Sequence, residues 1–468
     1  MSKMSERNKT TKERILFALS AIPDQMTYQA FNLFVFTYYF AVVKIPPLQV
    51  MLVFILWGIW NAVNDPLIGA LSERTKYKKK YGKRRFFLII SIIPLSIIMV
   101  LLFCVFFSTD AKIIEFIYFI SIIMIFELFY TMWDCNLNAL FPEIFPTEEE
   151  RAKTNVFIKA FTVIAVILAS VPSIILSPLA PETGTPEELM LIKMNYFIGG
   201  IMLAVLTMIF AIPFLLWGFH EKEETQEDFE KRPGFLESLK ITFSNRTFLK
   251  FTTANMMVWY VFNILMTILP LFSVHILKIG EKSFLLTLQL LLALGIAAFM
   301  LPVHRRLGRK FGMRNSFMAT LGVWIILLFP YMLLNQGDLI FGLIITALQG
   351  IPLGGALFYV DILHSDVIDE DAVRFGVKRS ASYYGVNGFI HRFSIILTYL
   401  TIGSVFQGTG WAGGYVPNPG IDVIIGIKLI MFLFPSIGCG IAIFLLYKFD
   451  LHGERLNQMR EKLKELNL

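Results

Sequence analysis

Apolar residues run along this chain in blocks of twenty or more, separated by short polar stretches, and those blocks set the elements. Clear cases are Phe86–Phe107, Ile201–Phe219 and Ile421–Tyr447. A helix rising ~1.5 Å per residue needs roughly 20 apolar residues to cross the hydrocarbon of a bilayer. Twelve such spans are predicted, near residues 15–43, 47–72, 86–108, 113–141, 154–178, 194–218, 250–277, 283–303, 315–334, 338–363, 380–406 and 421–447. The longer ones imply tilted or protruding helices. Strands of a membrane barrel would alternate with period two over about ten residues, which these blocks do not do. The predicted fold class is therefore all-α integral membrane, with twelve transmembrane helices in two pseudo-symmetric six-helix bundles.

Composition agrees. Of 468 residues, 56% are hydrophobic and 16% charged, against roughly 25% charged in a soluble domain, and mean hydropathy is +0.64. The N-terminal stretch Met1–Arg14 is polar and basic, and the apolar segment after it is too long for a signal-peptide core. The first helix is thus expected to stay in the protein. Cys104, Cys135 and Cys439 lie far apart inside apolar blocks, as core residues and not as a metal cluster or disulfide framework.

The formal charge of +7 would suit a nucleic acid, but the basic residues bracket the apolar blocks. With the N-terminus inside, the cytoplasmic loops carry 33 Lys and Arg, and the opposite loops and helix ends carry five. That bias predicts a multi-pass plasma-membrane protein with both termini cytoplasmic. The longest cytoplasmic connection holds Pro233–Gly234 and divides the chain into an N-terminal bundle (1–218), a linker (219–249) and a C-terminal bundle with a short tail (250–468). Gly82 follows the second span and Gly312 the eighth, each near basic residues. Such repeats build many transporters.

Ionisable residues within a span cost a few kcal/mol on insertion scales and need a reason. Asp24, Asp65, Glu127, Asp134 and Lys159 fall inside spans of the first half, and His391, Arg392 and Asp361 inside those of the second. Asn61 and Asp65 are four apart and share a helix face, with Asn64 close by; Glu127 and Asp134 are seven apart and share another. At ~1.5 Å per residue, Asn61 and Glu127 reach a similar depth, and Asp65 and Asp134 lie deeper. Oxygen ligands crowded in this way suit a hard monovalent cation or a shared proton. Plainer roles compete at each position. Asp65 before Pro66 is also a helix-end cap, Asp134 and Lys159 a buried pair, and Glu127 a protonated packing residue. Phe31, Phe34 and Tyr38 read as packing first, and His275, His304 and His364 as solvated or packing residues at helix ends.

Several stretches resemble the glycoside–pentoside–hexuronide cation symporters of the major facilitator superfamily, the melibiose-permease-like group. Asn64-Asp65-Pro66, Gly69, Arg74-Thr75 and Gly82-Lys83-Arg84-Arg85 are similar to that family's first block. Tyr130-Thr131-Met132-Trp133-Asp134, Ala139–Glu143 and Glu150-Arg151 are similar to its second. Asp366–Asp369, Arg379 and Tyr383–Asn387 extend the likeness into the second half. The resemblance implies cation ligands at Asp65 and Asp134, substrate contacts at Asp24 and Lys159, and a charge-balancing role for Arg392. Asn61 stands where the family has its first aspartate, so Glu127 is a candidate replacement. Asn138 stands where melibiose permease stacks a Trp on sugar, which bears on the substrate.

The expected function is cation-coupled symport, with Na+ or H+ as coupling ion and no other cofactor, of a small polar solute such as a sugar or glycoside. A lysophospholipid is the alternative cargo, and a non-transporting receptor or scaffold a remoter one. Membrane lipids are expected partners, nucleic acid and an obligatory protein partner are not. No phosphate-cradling Gly-Lys-Ser/Thr loop and no hydrolytic motif occurs, so an ATP-driven pump and a membrane enzyme are both disfavoured.

Overall fold

The computed structural model describes residues 9–75, 82, 84–107, 112–145, 148–176, 184–221, 243–279, 284–375, 380–411 and 416–465. Among these the regular structure is helical, without a strand. In chain order the elements are α1 (Thr11–Ala18), α2 (Ala21–Thr37) running into a π-helical turn (Tyr38–Val42), α3 (Pro47–Arg74), α4 (Arg84–Leu101), α5 (Ile113–Ile144), α6 (Glu148–Ala169), α7 (Val171–Ile175) and α8 (Pro186–Trp217). The second half gives α9 (Arg246–His275), α10 (Phe284–Phe311), α11 (Met313–Leu328), α12 (Pro330–Leu333), α13 (Leu339–Leu348), α14 (Gly350–Phe375), α15 (Ser380–Gly408), α16 (Ile421–Tyr447) and α17 (Gly453–Glu465). Two compact units emerge, Met1–Val53 with Val63–Arg232, and Phe54–Ala62 with Pro233–Leu468.

Each expected span corresponds to helix, and ten helices among the described residues are long and apolar enough to cross a bilayer. The first and fifth spans are the others. Both are broken: the first at Leu19-Ser20 before Pro23, the fifth at Ser170 before Pro172. The tenth is broken as well, at Gln349, whose amide nitrogen donates to the Leu327 carbonyl at 2.7 Å and the Ile345 carbonyl at 3.1 Å. Inside a bilayer such freed backbone groups must find protein partners. The third span ends at Leu101, short of the expected 108. Tyr38 and Tyr39 donate their hydroxyls to the Phe103 and Leu102 carbonyls, both at 2.9 Å, and so satisfy that helix end. The eighth span runs on to Phe311, well past 303, through Arg305, Arg306, Arg309 and Lys310.

Lipid-facing stripes are explicit. On α3, Ile59, Val63, Leu67 and Leu71 are exposed, while Asn61 and Asn64 are buried. A stripe of that length turned to water would be an aggregation liability; turned to lipid it is the ordinary outer face of a span. The bundle interior closes through small residues. A Cβ on Gly200 of α8 would lie 2.6 Å from the Met99 carbonyl oxygen of α4, so only glycine permits that approach.

The two glycines equated by the sequence adopt matching backbone. Gly82 has φ +68° and Gly312 has φ +83°, a conformation costly for other residues. Beyond Gly82, the Glu221 carboxylate accepts from the Arg84 and Arg85 amides at 3.0 and 2.5 Å, capping the α4 N-terminus. The buried Arg84 guanidinium binds the Ser72 hydroxyl of α3 at 2.7 Å and the Glu143 carboxylate of α5 at 3.1 Å. Most of the expected basic turn, residues 76–81 and 83, lies outside the described residues.

In the second unit, Asn387 of α15 accepts from Thr252 at 2.7 Å and Asn255 at 3.1 Å, both on α9. Of the two roles expected for the histidines, packing is the one the structure shows. His275, His304 and His364 are all buried, His275 against Trp411 and His364 against Phe251.

Candidate functional site

In the first unit the carboxylates meet on α3 and α5. The two helices pair in matched order: Asn64 donates to the Glu127 carbonyl at 3.2 Å, Thr131 meets Asp65, and Ser72 donates to Asn136. Depth counted from helix starts set Asn61 opposite Glu127; the register found is about one turn further along α3. That offset has a consequence. The Thr131 hydroxyl lies 2.9 Å from Asp65 Oδ1 and 3.2 Å from Glu127 Oε1. Two carboxylates from two helices converge on one hydroxyl, which carries a single proton to donate.

Glu127 is fully buried and Asp65 half-buried. One turn earlier on α3, Asn61 is fully buried, and neither its amide oxygen nor its amide nitrogen has a hydrogen-bond partner. Buried amides are almost always paired in native proteins, so Asn61 has capacity for a ligand. Carboxylate, amide and hydroxyl oxygens are what a hard cation takes. No group of three or more His, Cys, Asp or Glu among the described residues could hold a metal, so a transition-metal site has no donor set there.

Asp134, Asp24 and Glu127 are all electrostatic neighbours of Tyr130. Asp134 accepts from Asn138 at 2.8 Å and neighbours Asp24 on α2, with which the Tyr130 side chain hydrogen-bonds. Asp24 is buried; Gln25 donates to its Oδ2 at 2.7 Å, and its Oδ1 has no hydrogen-bond partner. An aromatic column stands alongside, with Tyr28 stacked on Tyr130 at 5.0 Å and Phe31 on Phe126 at 4.5 Å. Phe31, Phe34 and Tyr38 are consumed in packing, as expected: Phe34 meets Tyr196 edge-on and Tyr38 is buried on Phe103.

Lys159 is exposed on α6, so the buried Asp134–Lys159 pair weighed from the sequence does not form. Asn138 is exposed beyond its bond to Asp134. Arg392 is half-buried on α15 in the second unit, next to His391, whose ring packs on Trp259 at 4.6 Å. Asp361 is exposed on α14.

Comparison with known proteins fits this geometry. The profile of the family described as "MFS/sugar transport protein" matches residues 16–453. The chain belongs to that family. It is a multi-pass membrane transporter of the major facilitator superfamily, melibiose-permease-like, and not an enzyme. One relative, of Escherichia coli K12, is named "Putative 2,3-dihydroxypropane-1-sulfonate exporter"; it is 22% identical over 91% of this chain and 89% of its own length. Another, the "Sodium-dependent lysophosphatidylcholine symporter 1" of Gallus gallus, is 21% identical over 95% of this chain and 88% of its own. The solved structure of the nucleoside transporter NupG matches with TM-score 0.63 and 16% identity, over 94% of this chain and 100% of that one. That likeness shows the shared fold.

Proposed function

We propose that this major facilitator transporter is a cation-coupled symporter of a small polar organic solute, moved by alternating access. The observation that carries this reading is the convergence of Asp65 and Glu127 on the Thr131 hydroxyl. Na+ or H+ between two such carboxylates would offset their mutual repulsion, and an ion held there is a natural coupling ion. Glu127 supplies the charge that Asn61 lacks.

Asp24, Asp134 and Asn138 form the polar contact surface for cargo, with Tyr28 and Tyr130 as apolar faces. Carboxylates and an amide beside aromatic rings suit a polyhydroxylated solute, whose hydroxyls donate to the former and whose ring or carbon face packs on the latter. Lys159, exposed on α6, is available for an anionic substituent; the relative named for a hydroxylated sulfonate supports a cargo of that kind. Arg392 balances charge in the second bundle. Both termini are assigned to the cytoplasm of the plasma membrane from the Lys and Arg bias.

The second reading, lysophospholipid transport, is favoured by the sodium-dependent relative. Proteoliposomes decide between them. Uptake of a small sugar or sugar sulfonate, driven by an imposed sodium or proton gradient, supports the first reading. Gradient-driven uptake of lysophosphatidylcholine with no response to sugars replaces the cargo, and uptake indifferent to both gradients removes the coupling.

A further inference from the structure

Away from the carboxylates, the second unit has a groove of about 270 Å3 between α10, α11 and the start of α14. Its rim is apolar and outward-facing: Leu307 and Phe311 of α10 and Val323 of α11 are exposed. Its floor is buried and offers almost only apolar surface, the polar atoms of His304, Ser316 and Thr320 being bonded within the protein. His304 Nε2 pairs with the Ile351 carbonyl at 2.9 Å, and the Thr320 hydroxyl donates to the Ser316 carbonyl at 2.8 Å. The Ser316 hydroxyl, in a residue only 5% exposed, hydrogen-bonds with the Tyr359 side chain.

Charge completes the picture. Between residues 283 and 337 the chain has no Asp or Glu, yet it carries Arg305, Arg306, Arg309, Lys310 and Arg314. Arg314 is occupied by the Leu446 and Tyr447 carbonyls. The other four are exposed on the last turns of α10. The Lys310 ammonium lies 5.2 Å from the centroid of the Phe311 ring, at the mouth of the groove, and Arg306 follows one turn back on the same side.

We propose that this groove seats one acyl chain of an anionic phospholipid, whose phosphate binds Lys310 and Arg306 at the basic end of α10. The volume is below the ~300–1,000 Å3 of pockets that enclose a whole small molecule, so it fits a chain segment and not a compact solute. The exposed rim opens sideways, where lipid chains lie. Basic clefts between helices at that membrane face recognise anionic head groups. The site is separate from the carboxylates assigned to transport and stands whether or not those bind a cation.

Native mass spectrometry of the detergent-purified protein tests it, with phosphatidylglycerol and phosphatidylcholine of identical chains as probes. Wild type is expected to retain one phosphatidylglycerol about thirtyfold more tightly than phosphatidylcholine, the factor given by about 1 kcal/mol for each of Lys310 and Arg306 near anionic lipid. Lys310→Ser, on an exposed residue, is expected to lower that ratio to about fivefold, with Arg306 remaining. Ala319→Trp, which fills the groove from α11, is expected to lower retention of both lipids. Equal retention of the two lipids by wild type, wild-type selectivity in Lys310→Ser, or unchanged retention in folded Ala319→Trp would each overturn the proposal.

Discussion

Asp65 and Glu127, on neighbouring helices, share the hydroxyl of Thr131 at 2.9 and 3.2 Å. The hydroxyl cannot donate to both at once. In the proposed site a cation or proton joins the two carboxylates at this point.

Replacing Glu127 by Gln keeps the size and removes one charge. The expected result is a rise of at least about tenfold in the sodium or proton concentration giving half-maximal uptake, equivalent to about 1.4 kcal/mol of lost binding. A second substitution, Asn61→Asp, added to Glu127→Gln, is expected to restore part of the cation dependence, because it returns a carboxylate one turn from Asp65. Transport assays across a sodium and a pH series check both.

Thr131→Val preserves shape and deletes the shared donor. Uptake driven by the ion gradient is expected to fall sharply while the folded fraction stays near wild type, and Thr131→Ser is expected to retain coupling. Equal activity of the Val and Ser variants would mean that the hydroxyl only packs.

Arg84 holds α3, α4 and α5 together through Ser72 and Glu143. Arg84→Ala is expected to destabilise the first unit by about 2 kcal/mol, in the range for lost hydrogen bonds to a charged group. Arg84→Lys recovers little, since an ammonium lacks the guanidinium fork. Thermal melts of the purified variants measure this.

At the start of the tail, Lys250 lies 2.6 Å from Asp450 and holds its carboxyl below the ordinary value of 3.8. A depressed folded value means that the pair stabilises the protein fully above about pH 4 and stops doing so as pH falls through the folded value. Asp450 is half exposed, so the effect is small. Asp450→Asn is expected to melt slightly below wild type near pH 7 and to converge with it as pH falls below the folded value of Asp450.

How far the sequence reached can be read from particular residues. The spans were legible because hydrocarbon demands unbroken apolar length, and the buried carboxylates because each is expensive there. Thr131 was not. Threonine is common in membrane helices and usually turns its hydroxyl to its own backbone, as Thr27, Thr154, Thr207 and Thr398 do. Only the α3–α5 register reveals that Thr131 instead meets side chains, and that register rests on contacts such as Asn64 with the Glu127 carbonyl, which no spacing announces. The same holds for the bond of Asp134 to Asn138 and its nearness to Asp24, which no spacing announces. Breaks at Ser170 and Gln349 were also hidden, because the apolar blocks continue through them.

The most direct test of the carboxylate pair needs no cargo. Thermal unfolding of the purified transporter is followed against sodium chloride, with choline chloride holding ionic strength constant, at two pH values, for wild type and Glu127→Gln. Wild type should gain stability from sodium or from acidification, and the variant should lose most of that gain. Identical responses of the two proteins to both ions would contradict an ion held between Asp65 and Glu127.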